Sequence, residues 1–65
     1  MRRFTVGTVI AHADTHDSYI LLVVGKAPNG RWNCLVLMDS LNHETAGQIV
    51  TYTKSDITRY FERLG

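Results

Sequence analysis

Residues 19–24 (Tyr-Ile-Leu-Leu-Val-Val) and 32–38 (Trp-Asn-Cys-Leu-Val-Leu-Met) read as strands with apolar side chains directed toward both faces of a sheet. Successive strand side chains alternate sides, so a chain built on these two runs has two surfaces to cover. With 65 residues it is one domain, near the lower limit at which a core without disulfides or metal holds a fold. Such a chain has one core to offer. The second face calls for a helix of its own or for another copy of the chain, so self-association, most simply as a homodimer, is expected.

The remaining composition excludes more than it selects. A hydrophobic content of 45% is ordinary for a globular chain. The single cysteine, Cys34, excludes an intramolecular disulfide, and its place inside an apolar strand predicts a buried thiol in a reducing compartment, so a cytoplasmic location is expected. Residues 1–7 carry Arg2 and Arg3 but meet Thr5, Gly7 and Thr8 before any long apolar run, unlike a signal peptide. No segment approaches the roughly 20 apolar residues of a membrane span, so no membrane partner is expected. The formal net charge of +1 selects no class of partner.

Four strands are predicted, at 4–11, 18–24, 31–39 and 47–53. The first is rich in β-branched residues, with Gly7 a bulge or bend point, and residues 12–17 form a polar connection. Gly25-Lys-Ala-Pro-Asn-Gly30 predicts a hairpin, because Pro28 presets its φ and Asn29-Gly30 tolerates positive φ. Residues 40–46 read as a loop. At the C-terminus the period changes: Ile57, Tyr60, Phe61 and Leu64 recur at helical spacing, which predicts a helix over 55–64 with Ser55 or Thr53 as N-cap. About three turns are unstable alone in water, so the helix has to dock, and the second apolar face of strands two and three is the expected dock. The predicted architecture is α+β and β-rich, a four-stranded, strongly bent antiparallel sheet or partly open barrel closed by the C-terminal helix.

Phe4-x-Val-Gly-x-Val, the 32–38 strand, Gly47-x-Ile-Val and Asp56-Ile-x-x-Tyr-Phe lie in an order that resembles the layout of SH3-like small β-barrels, frequent among bacterial and phage-encoded accessory domains. The resemblance is architectural and implies a module that binds proteins, peptides or nucleic acids and seldom catalyses.

The residues with chemistry to offer are few. His12, Asp14, His16 and Asp17 are metal-ligand types within six positions, but a solvated loop with Asx-type turns accounts for them as well. Zinc sites also want three or four ligands held by surrounding hydrogen bonds, so neither a metal nor another cofactor is expected. Cys34 and His43 could be a nucleophile and its base only if the thiolate were exposed, and a mid-strand position opposes that. No phosphate-binding glycine loop is present. Trp32, Tyr19, Tyr52 and Tyr60 could form an aromatic surface, although packing explains most of them.

Threading the charges onto an antiparallel meander gathers His12, Asp14, His16, Asp17, Asp39, His43 and Glu44 at one end of the sheet. Arg2, Arg3, Lys26, Arg31 and Lys54 gather at the other, beside Trp32. The reading is therefore a non-enzymatic binding or adaptor module whose basic end, with Trp32, is the contact surface. A protein partner, a second copy included, comes first, nucleic acid second, and a small metal-dependent enzyme using the His12 to Asp17 loop third.

Overall fold

The computed structural model describes residues 4–14 and 18–64. Within them lie β1 (Val9–His12), β2 (Tyr19–Lys26), β3 (Arg31–Asp39), β4 (Ile49–Thr53), α1 (Lys54–Tyr60) and β5 (Phe61–Arg63), with short 3-10 turns at Pro28–Gly30 and His43–Thr45. The strands form one antiparallel sheet in the order β4-β3-β2-β1-β5. The domain is thus α+β and β-rich, but its sheet has five strands rather than the four expected, and it is not closed, with β4 and β5 as its edges.

The hairpin between β2 and β3 follows its turn chemistry. Asn29 (φ 63°) and Gly30 (φ 72°) both adopt the left-handed conformation that Asn and Gly tolerate best. The first strand is shorter than predicted, because residues 4–8 form a turn: Thr8 N–H donates to the Thr5 carbonyl (3.0 Å), and Thr5 N–H donates to the Thr8 hydroxyl (3.0 Å). Gly7 (φ 95°) serves that turn and is not a strand bulge. Phe4 then reaches back into the core, its ring edge-on to Trp32 at 4.9 Å.

The C-terminal segment departs most from expectation. Thr53 is the N-cap, its hydroxyl accepting from Asp56 N–H at 3.1 Å. The helix stops at Tyr60, however, and Phe61 turns extended (φ −121°, ψ 154°). Residues 61–63 add to the free edge of β1 instead, with Ala13 N–H donating to the Tyr60 carbonyl and Leu64 N–H to the Val9 carbonyl, each at 2.8 Å. An unpaired strand edge offers backbone partners that one more helical turn would not satisfy. The predicted stripe therefore splits: Ile57 and Phe61 are buried, whereas Tyr60 and Leu64 are about half exposed.

The dock also differs. Ile57 and Phe61 pack with Phe4, Ile10, Leu21, Val23, Cys34 and Val36 in a single core on the inner face of the sheet. The sheet bends around it far enough that the ring of Tyr52 on β4 meets that of Phe61 on β5 at 5.2 Å, although the two strands are opposite edges. The helix thus fills the concave side and does not cover the second face of β2 and β3. On that outer face Val24, Leu37 and Ile49 keep 38%, 46% and 53% of their surface exposed.

Candidate functional site

The cross-strand register carries Lys26 opposite Trp32, and Arg31 opposite Thr53, to one end of the sheet. Lys54, the first residue of α1, follows directly and is exposed. Lys26 places its Nζ 5.5 Å from the centre of the Trp32 ring, a cation–π distance. Trp32 itself is half-buried, one side against Phe4 and the core. Arg31 points to the other face of the sheet, where its guanidinium donates to the Thr51 hydroxyl (3.2 Å) and carbonyl (3.3 Å). Lys26, Arg31 and Lys54 thus share one end of the sheet, where Lys26 and Trp32 form one contacting pair and Arg31 lies round the rim from them. Arg2 and Arg3 lie outside the described residues.

At the opposite end, His12, Tyr19, Asp39, Leu41 and Asn42 line an open cleft of about 390 Å³. Asp39 organises the loop that follows. One carboxylate oxygen accepts from Leu41 and Asn42 N–H (each 3.1 Å), and the other accepts the Thr45 hydroxyl at 2.6 Å. These bonds, the Thr45 hydroxyl first, hold the Asp39 carboxyl below its ordinary range. A carboxyl with a depressed folded pKa contributes stability above the ordinary aspartate value, near 3.9, and loses it as pH falls through the folded value. Asp39→Asn is therefore expected to melt below the parent at pH 7, with the gap closing as the solution is acidified below pH 4. A constant gap would show that the charge is not what the loop uses.

The metal-type residues are only partly in view. His16 and Asp17 lie outside the described residues. His12 accepts from Asp14 N–H at its Nδ1 (3.3 Å), and its ring lies edge-on to Phe61 at 5.6 Å, so packing and a local turn already fix it. Among the described residues no three or more His, Cys, Asp or Glu side chains form a metal-holding group. Chelator is expected to leave the melting temperature unchanged; a drop restored by zinc and abolished by His16→Ala would make the loop a metal site.

Cys34 is fully buried and its thiol is pushed up by that burial, opposite to the shift a nucleophile needs. Tyr19 and Tyr52 share a hydroxyl–hydroxyl hydrogen bond of 2.9 Å beside Phe61. Burial first, then that bond, pushes the Tyr19 hydroxyl above its ordinary range, which keeps it neutral. Neither this pair nor the bracing role of Asp39 stands out in the sequence, although Asp39-Ser-Leu-Asn is a recognisable Asx-turn pattern.

Comparison of the chain with known protein families, with curated proteins and with solved structures found no match. The residues themselves carry the functional argument. Among the described residues no helix is long and apolar enough to cross a membrane.

Proposed function

We propose that the protein is a non-enzymatic, self-associating binding module of SH3-like build, acting in the cytoplasm as an adaptor through protein–protein contact. Its basic end takes an acidic patch on the partner. The observation that carries this reading is Lys26 held over Trp32 at 5.5 Å, with Arg31 and Lys54 at the same end of the sheet. The aromatic ring supplies contact area at low entropic cost, and the cations supply attraction to carboxylates. The buried Cys34, with its raised thiol pKa, speaks against the thiol-hydrolase alternative. A protein partner is favoured over a nucleic acid because the basic groups are few and the far end bears Asp14, Asp39 and Glu44, which would repel a phosphate backbone running past it.

A fluorescent poly-glutamate peptide and a DNA duplex serve as probes. The peptide is expected to bind more tightly than the duplex at about 150 mM salt, and the double variant Lys26→Glu/Arg31→Glu to lose at least about tenfold in peptide affinity while remaining folded. Stronger binding to the duplex, with a steep salt dependence, would make the module a nucleic-acid binder.

A further inference from the structure

The cleft at the end opposite the basic residues is a second surface, and its lining is mixed in kind. Tyr19 and Asp39 stand directly opposite one another in the β2–β3 register, which sets a phenol ring beside a carboxylate. The rings of His12 and Tyr19 lie 5.6 and 6.1 Å from that of Phe61, and the Tyr19 hydroxyl is bonded to that of Tyr52, so this wall is backed by the core. Leu41 forms the rim with 85% of its surface exposed, more than any other large apolar side chain among the described residues. At about 390 Å³ the cleft lies at the small end of the roughly 300 to 1,000 Å³ that ligand sites occupy.

Asp39 selects what the cleft can take. Its negative charge opposes an anion, and its bonds come from two amides and a hydroxyl. Among the described residues no ammonium or guanidinium donates to it, and His43 acts on it through space without a bond. A carboxylate offers about four acceptor positions, two on each oxygen. Oδ1 is filled by the Leu41 and Asn42 amides, whereas Oδ2 holds the Thr45 hydroxyl alone and keeps one position open. A guanidinium fork engages both oxygens of a carboxylate at once, so a single open position suits the point charge of an ammonium better. We infer that the cleft binds a lysine side chain presented by a polypeptide, its ammonium donating to Asp39 Oδ2 and its four-carbon stem lying along Tyr19 and Leu41. The stem gives Leu41 the apolar cover it lacks, and the openness of the cleft leaves room for the backbone that carries the lysine. Asp14 and Glu44, exposed in the two flanking loops, add attraction at longer range. The site is separate from the basic end and stands whether or not that end binds carboxylates.

The probes are the peptide acetyl-Gly-Gly-Lys-Gly-Gly-amide, the same peptide with arginine or with Nε-acetyl-lysine at its centre, and butylammonium, each titrated into the full chain and followed by NMR. The lysine peptide is expected to shift the His12 and Tyr19 ring signals and the Leu41 methyl signals saturably. Acetylation of the lysine is expected to weaken binding at least about tenfold, the loss of one charge-assisted hydrogen bond. Arginine at the same place is expected to bind at least about threefold more weakly, and butylammonium more weakly still. Asp39→Asn is expected to cost at least about tenfold. Because that change also alters the loop, Leu41→Ser provides a second variant: it removes an exposed side chain, keeps the backbone amide, and is expected to stay folded and bind about threefold more weakly. Lys26→Glu/Arg31→Glu is expected to bind the lysine peptide no more weakly than the parent, which separates the cleft from the basic end. Equal binding of the lysine and acetyl-lysine peptides, shifts confined to Asp14 and Glu44, or a folded Leu41→Ser that binds as the parent does would each overturn the site. Tighter binding of the arginine peptide would overturn the choice of an ammonium, and butylammonium binding as tightly as the lysine peptide would overturn the choice of a polypeptide.

Discussion

Phe61→Ala is expected to cost about 3 to 5 kcal/mol, the range for deleting a fully buried aromatic ring. Phe61 is 3% exposed and is the point where three elements meet: the rings of His12 on β1, Tyr19 on β2 and Tyr52 on β4 lie 5.6, 6.1 and 5.2 Å from it. Removing it empties the space beneath β5 and frees the Tyr19–Tyr52 hydrogen bond from its packing. A domain of this size is held by about 5 kcal/mol or little more, so the variant keeps about 2 kcal/mol or less and should melt far below the parent. Arg59→Ala, two residues earlier on the exposed side of α1, should cost under about 0.5 kcal/mol even though its guanidinium lies over the Tyr60 ring at 5.9 Å. Urea denaturation of the two variants decides the matter. Equal and small effects would mean that the C-terminal segment is not docked in solution.

Ile57→Ala is expected to cost about 2 to 5 kcal/mol. Ile57 is fully buried and is the one buried residue of α1, so all of the helix's attachment to the core passes through it. The seven-residue helix cannot stand alone, and losing this contact should release its amides to rapid hydrogen exchange before the strands open. Tyr60→Ala is the informative comparison. Helical periodicity places Tyr60 on the same stripe as Ile57, yet the ring is 46% exposed, so its removal should matter far less. Comparable losses at 57 and 60 would restore a longer helix in place of β5.

The contrast between those two positions shows what the sequence could tell. The two central strands, predicted at 18–24 and 31–39 and found at Tyr19–Lys26 and Arg31–Asp39, the hairpin with positive φ at Asn29 and Gly30, and a cap at Thr53, one of the two positions predicted, rest on local chemistry and were legible. β5 was not, because a spacing of four between Ile57 and Phe61 satisfies a helix, and also a helix that ends at Tyr60 with Phe61 turned inward. Only the free edge of β1, a long-range feature, selects the second. For the same reason Phe4 to Thr8 carried strand composition but folds as a turn that returns Phe4 to the core. Apolar side chains on both faces of β2 and β3 were read correctly, but which face the helix takes depends on the bend of the sheet. That Lys26, Arg31 and Lys54 share one end of the sheet was legible from strand direction alone. That Arg31 and Lys26 leave on opposite faces was not, since the irregularity at Val24 shifts the register of β2 against β3.

Whether the protein works from its basic end is decided by comparing its two ends. Capture of an acidic protein partner from host lysate, read by mass spectrometry and then measured with the purified partner, is to be compared between Lys26→Glu/Arg31→Glu and Asp14→Lys/Asp17→Lys. The first variant is expected to lose capture and flatten its salt dependence while remaining folded, and the second to bind nearly as the parent does. Loss of capture in the second with the first unaffected would contradict this and move the contact surface to the end that holds His12, Tyr19 and Asp39.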